Sequence, residues 1–370
     1  PQPVEFVTLD STASRKGSNK LFLSANDGLF FGVVENSSRN IIESRKDWTD
    51  YAPLAAVAVH RGWGISKMVY EPRSRFLFTG DEAGYAEVRE VGADGSMKKS
   101  TVQRFRMVQP RSLWRFLLRQ QPISALAFDR DLGLLMLVNG AGYVELRRVV
   151  AATDLWSRLM KRLFGRSLVR FQDVTPADAP RLRGHIAASS YDAASRTLVV
   201  ASPNFDRTYT VEIWRLDASG HLLPSPLQRL QLSDIGSPYL ILSYDSSSRQ
   251  FVSIHDQRVE VRRITESGRI EGAPLQRFRL AGAAALPYAT YDVKTHAVIA
   301  STNDVPSHLA RWELLAAPTR AHAAGDLASI PVTELTPSIV SDLPVDDDFA
   351  ALAKGWGRQA ASALSGLARS

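Results

Sequence analysis

Two stretches of this chain repeat each other 58 positions apart without a gap. Lys67-Met68-Val69-Tyr70-Glu71, Phe76-Leu77-Phe78-Thr79 and Gly84-Tyr85-Ala86-Glu87-Val88-Arg89 form the first copy. Ala125-Leu126-Ala127-Phe128-Asp129, Leu134-Leu135-Met136-Leu137 and Gly142-Tyr143-Val144-Glu145-Leu146-Arg147 form the second. Such a period points to a repeat architecture, in which a unit buries its faces only by stacking on another unit. Looser copies set Tyr191-Asp192, Tyr244-Asp245 and Tyr291-Asp292 ahead of apolar runs, and a fainter one begins at Phe6.

A second element, Val102-Gln103-Arg104-Phe105-Arg106-Met107, recurs at 227–232 and 275–280, each time after a turn pair: Asp94-Gly95, Ser219-Gly220 or Ser267-Gly268. The unit therefore reads as four strands. The Gln-Arg element comes first, then a short strand ending in an aromatic and an acid. A nearly all-apolar third strand has both faces buried, and an alternating fourth turns its charges outward. Glu71, Asp129, Asp192, Asp245 and Asp292 suit the tight turn that follows the second strand. Residues 330–335 are expected to supply the first strand of the first unit, joining the chain ends and removing exposed edges.

Leu182-Arg183-Gly184-His185, Tyr191-Asp192 and Ile213-Trp214-Arg215 together resemble the WD40-type β-propeller family, with Arg215 where the family has Asp. Arg311-Trp312-Glu313 is a second, degenerate version. The resemblance implies an all-β, six- or seven-bladed propeller over residues 1–335. It also implies structural roles for His185, Trp214 and Trp312, with His185 in a hydrogen-bond network that ties strands together.

Two basic insertions, about 97–122 and 151–183, break the rhythm. Residues 97–183 hold 17 Lys/Arg against 6 Asp/Glu, while the whole chain nets only +7, so the remainder is slightly acidic. Charge concentrated in one sector can steer a polyanion. Thr153-Asp154 suits a helix start, with Leu155, Trp156, Leu159, Met160 and Leu163 on one face and Arg158, Lys161, Arg162 and Arg166 on the other. Beyond the ring, 336–348 reads as an acidic linker and 349–370 as an amphipathic C-terminal helix containing Trp356.

With no cysteine, the chain has no disulfide, thiol nucleophile or cysteine-held metal. Its seven histidines form no tight metal-ligand pair, and no phosphate loop or nucleophile elbow is present. The expectation is a non-catalytic scaffold without metal or cofactor, part of a larger protein or ribonucleoprotein assembly; an enzyme with a channel site is the lesser reading. Trp114, Arg115, Arg119, Trp156, Arg158, Lys161, Arg162, Arg166 and Trp356 are the candidate contacts, since Arg and Trp dominate desolvated interfaces. The same chemistry suits an RNA-binding subunit of an organellar ribonucleoprotein or an adaptor on an anionic membrane surface. No apolar run approaches the roughly 18 residues of a spanning helix, and Pro1–Glu5 is unlike a signal peptide. An intracellular setting, cytoplasmic or mitochondrial and not secreted, is expected.

Overall fold

The computed structural model describes residues 7–8, 19–23, 30–36, 39–45, 55–59, 64–98, 100–107, 121–151, 169–176, 178–206, 208–232, 240–255, 257–282, 289–292, 296–301, 309–314, 332–335 and 338–341. These residues are all-β and form six sheets. The first runs in chain order through β1 (Val7–Thr8), β2 (Asn19–Leu23), β3 (Phe30–Asn36), β4 (Arg39–Arg45) and β5 (Ala55–Val59). The second holds β6 (Ile65–Glu71), β7 (Phe76–Asp81), β8 (Tyr85–Glu90) and β9 (Gln103–Arg106). The third holds β10 (Ile123–Asp129), β11 (Leu134–Asn139), β12 (Val144–Ala151) and β13 (Val169–Asp173). The fourth holds β14 (Ala188–Asp192), β15 (Thr197–Pro203), β16 (Tyr209–Arg215) and β17 (Gln228–Leu232). The fifth begins with β18 (Ile241–Asp245), β19 (Gln250–His255), β20 (Arg258–Arg263) and β21 (Gln276–Leu280). The sixth begins with β22 (Ala289–Asp292), β23 (Ala297–Ser301) and β24 (Leu309–Glu313). Then β25 (Val332–Leu335) joins the fifth sheet and β26 (Ser338–Ser341) the sixth. The leading strands β1, β6, β10, β14, β18 and β22 lie against one another in turn, and β22 returns to β1.

Packing between sheets explains the apolar third strands. All six residues of β11 are buried, as are the first six of β15. Phe78 of the second sheet stacks on Phe128 at 4.8 Å and meets Phe171 edge-on at 5.6 Å, both in the third. Trp214 packs with Leu134, Met136 and Leu146 across the next junction. Trp312, fully buried, joins Val259, Val261 and Phe278 across the one between the fifth and sixth sheets.

The turn acids behave as their position implies. The backbone N–H of Leu132 donates to Asp129 at 3.0 Å, and Ser195 and Ser247 donate likewise to Asp192 and Asp245. These three turns close on left-handed residues, Gly133, Arg196 and Arg249, with φ between 53° and 58°, and Arg75 and His296 at the matching positions are left-handed too, with φ 56° and 48°. The leading strands also bond from sheet to sheet. The Tyr191 hydroxyl donates to Asp129 of the preceding sheet at 2.6 Å, and Tyr244 N–H donates to Ser190 Oγ at 3.1 Å.

Several expectations are corrected. The Gln-Arg element does not open a unit. It is the outer strand of the sheet before it, because β9 follows β8 closely and folds back antiparallel on it (Tyr85 opposite Arg106). Residues 332–335 do not complete the first sheet. They pair in parallel with β21, and the first sheet takes its outer strands from β4 and β5. The acidic linker at 336–348 contains β26, and the insertions at 97–122 and 151–183 contain β9 and β13. No helix occurs among the described residues; the expected helices at 155–166 and 349–370 lie outside them.

Several charges of the fourth strands do not face outward. Glu87, Glu145 and Glu212 are buried, as are Arg89 and Arg262. Arg89 pairs with Glu87 at 2.9 Å, Arg147 with Glu145 at 2.5 Å and Arg262 with Glu260 at 2.6 Å. In the fourth sheet Trp214 Nε1 takes the arginine's place, donating to Glu212 at 3.1 Å. The Gln-Arg element adds a further partner, this one a cation each time: Arg104 to Glu87, Arg229 to Glu212 and Arg277 to Glu260, at 3.4, 2.8 and 3.1 Å. A strand packed on both faces must bury its polar side chains, which is tolerated only with partners.

The glutamine of the same element joins neighbouring sheets. Gln228 Nε2 donates to Ile270 C=O and its Oε1 accepts from Ile270 N–H, both at 2.7 Å. Gln103 holds Phe171 in the same way, at 3.2 and 2.7 Å.

Candidate interaction face

The turns from β7 to β8, β11 to β12 and β15 to β16 lie at one end of the sheets. Asp81, fully buried, accepts from the N–H groups of Ala83 and Tyr85 at 2.9 and 2.7 Å. Asn139 does the same for Ala141 and Tyr143, each at 3.0 Å. These locked turns present Tyr85 and Tyr143, and arginines lie over both rings. Arg104 and Arg106 stand 4.7 and 5.3 Å from the Tyr85 centroid, and Arg181 stands 4.5 Å from that of Tyr143.

The segment leading into β14 crosses to the third sheet here. Leu182 N–H donates to Gly142 C=O at 2.9 Å, and Arg181 Nε donates to Ala141 C=O at 3.2 Å. His185 Nδ1 lies 3.1 Å from Gly140 C=O, with its ring exposed. His185 thus ties its loop to the neighbouring sheet, while Trp214 makes its own bond to Glu212. Trp312 Nε1 donates to Ala281 C=O at 3.2 Å.

Next to this segment, Ser202 Oγ donates to Arg183 C=O, and the chain turns through Asn204, Phe205 and Asp206. The turn is closed by Asn204 N–H on Thr208 C=O at 2.8 Å and by Asn204 Nδ2 on the hydroxyls of Thr208 and Thr210. The Thr208 hydroxyl donates to Asp206 and holds its carboxyl below the ordinary value of 3.8. Phe205, at the tip, is fully exposed. The sequence reading missed it; an aromatic between Asn and Asp in a turn was the available signal. Arg106, Arg181 and Arg183 are exposed, and no carboxylate among the described residues binds their guanidinium groups.

The candidate contacts Trp114, Arg115, Arg119, Trp156, Arg158, Lys161, Arg162, Arg166 and Trp356 lie outside the described residues. Their flanking strands still distinguish two groups. The chain leaves β9 beside the β7–β8 turn, where Met107 N–H donates to Gly84 C=O at 3.0 Å, and re-enters at β10 beside Asn139. It leaves β12 and re-enters β13 with Ala151 opposite Val169, beyond the β10–β11 turn at the other end. The two basic stretches therefore depart from opposite ends of the ring. The charge excess is also partly neutralised from outside the sector, because Lys98 and Arg104 pair with Glu90 and Glu87.

No group of three or more metal-ligating side chains occurs among the described residues, and no described helix is long and apolar enough to cross a membrane. No protein-family description matches the sequence, and no curated protein does. Solved structures do match by shape. A Lactobacillus plantarum protein aligns over 92% of this chain and all of its own, at 10% identity and a TM-score of 0.54. A chain of the COPII outer coat vertex on membranes aligns over 79% of this chain and 72% of its own, at 10% identity and a TM-score of 0.50. The chain has a WD40-like β-propeller fold. A candidate 6-phosphogluconolactonase of Bacteroides fragilis matches as well, over 92% of this chain and 98% of its own, at 10% identity and a TM-score of 0.53. That likeness overturns the expectation that the chain is no enzyme. The ring architecture is shared with a candidate enzyme, and short motifs do not reveal a site assembled from distant strands.

Proposed function

We propose that this propeller has six blades and works as an interaction scaffold, seating a protein partner on the end that carries Phe205. The observation that carries the reading is an unshielded phenyl ring on a tightly hydrogen-bonded turn, with Arg181 and Arg183 at the adjoining segment. A rigid aromatic with arginines around it is the composition of a binding hot spot. Ordering it on binding costs little, because the turn is already fixed. The stretch holding Trp114, Arg115 and Arg119 leaves β9 at this end, and the stretch holding Trp156, Arg158, Lys161, Arg162 and Arg166 leaves β12 at the other. The likeness to a chain of a membrane coat supports the scaffold reading.

Purification of the tagged chain under native conditions, with and without nuclease, tests this. Phe205→Ala and the pair Arg181→Glu/Arg183→Glu are expected to release a protein partner that survives nuclease, with the fold unchanged by circular dichroism. Retention of every partner by both variants refutes the assignment of this end. Partners lost on nuclease treatment point instead to RNA.

A further inference from the structure

The fifth sheet shows how this fold extends itself. Onto its outer strand, Gln276-Arg277-Phe278-Arg279-Leu280, the chain lays β25 in parallel, with Val332 opposite Arg277, Thr333 opposite Phe278, Glu334 opposite Arg279 and Leu335 opposite Leu280. The added strand is anchored by Leu335, buried among Val259, Phe278 and Trp312, and by Ala281 N–H donating to Leu335 C=O at 3.0 Å. Val332, Thr333 and Glu334 are exposed.

The second sheet ends on Gln103-Arg104-Phe105-Arg106-Met107, which matches that outer strand at four of five positions. Its local geometry matches too. Arg104 reaches Glu87 as Arg277 reaches Glu260, and Phe105 and Met107 are buried as Phe278 and Leu280 are. Among the described residues β9 is the last strand of its sheet, with nothing paired beyond it. A strand edge presents a row of N–H and C=O groups that template another strand. Arg106 occupies the position of Arg279, is exposed, and binds no described carboxylate.

We infer that the outer edge of β9 docks an extended peptide of a protein partner, in parallel, with an acidic residue opposite Arg106 and an aliphatic anchor next after it. Backbone hydrogen bonds would supply affinity, and the acid facing Arg106 would set the register. This deepens the scaffold reading by naming a kind of partner, and it concerns the outer edge of the second sheet, whereas Phe205 belongs to the fourth.

The probe is a fluorescein-labelled peptide with the sequence of residues 330–336, titrated by anisotropy against the full chain. Saturable binding is expected. Arg106→Glu should weaken it by about fivefold or more. A peptide carrying Glu334→Lys should recover affinity on the Arg106→Glu protein, and a backbone N-methylated peptide should not bind. Arg279→Glu should leave the affinity unchanged. Absence of binding, or binding that responds to Arg279→Glu and not to Arg106→Glu, overturns the inference, the latter because the peptide would then be displacing β25. Partners that still co-purify with Arg106→Glu but not with Phe205→Ala would remove this edge and keep the scaffold reading.

Discussion

Replacing Gln228 with Ala removes one side chain but leaves two backbone groups of the neighbouring sheet without partners. Ile270 is 2% exposed, and both its N–H and its C=O are held by that one amide. A buried backbone group left unsatisfied costs about 1–3 kcal/mol. Gln228 is itself half-buried, so some water can enter and the lower part of that range applies. The expected loss is about 2–3 kcal/mol for the pair of bonds. Amide exchange at Ile270 reports it directly: about 2 kcal/mol of local opening is roughly a 30-fold faster exchange. The third glutamine of the series is the internal control. Gln276 occupies the same position in its strand but its side chain makes no hydrogen bond to a described residue, so Gln276→Ala should change urea stability by less than about 0.5 kcal/mol. Equal losses for the two variants, or an unchanged Ile270 exchange rate in Gln228→Ala, would show that the amide clamp contributes nothing and refute the reasoning.

Tyr191→Phe removes the bond to Asp129 in the adjoining sheet and leaves the ring in place; a loss of about 1–2 kcal/mol in urea denaturation is expected. Gly142 has φ +79°, and a Cβ there would press on the backbone of Leu182, so Gly142→Ala should lower the midpoint more than Gly272→Ala, where a Cβ meets nothing. The carboxyls of Asp217 and Asp245 are both held below the ordinary 3.8. Ser219 and His221 do this for Asp217; for Asp245, burial pushes upward but bonds from Ser247 and Ser248 outweigh it. Groups depressed in the folded state stabilise above their unfolded value, and that stability is lost as pH falls through the lower folded value. The gap between wild type and Asp217→Asn or Asp245→Asn should therefore be full at pH 7 and shrink below about pH 4.

Much of the ring was legible because its constraints recur locally. The aromatic–acid pair marks the end of each leading strand, and the apolar third strand marks burial on both faces. Strand alternation alone could not say where the charges go. Glu-x-Arg looks the same on a solvated face as in a packed one, and only the partner strand's arginine decides between them. β13 was hidden because Val169-Arg170-Phe171-Gln172-Asp173 does not keep the Gln-Arg order, although Phe171 fills the same kind of junction. The destination of residues 332–335 depends on which sheet edge lies nearest in space, and no periodicity encodes that. Phe205 and the Arg181–His185 segment come together through the pairing of β14 with β15, and the segment is pinned to the third sheet only once the two sheets lie side by side.

The first sheet is made wholly from residues 7–59, whereas the last two share a stretch that follows every other described strand. A ribosome can therefore release the early blades ready to fold one by one, but the final pair must wait for residues 332–341 to emerge. Among the described residues, no strand is exchanged across the junction of the first and last sheets. A pulling force applied to the two ends should part the circle at that junction before any single blade unravels.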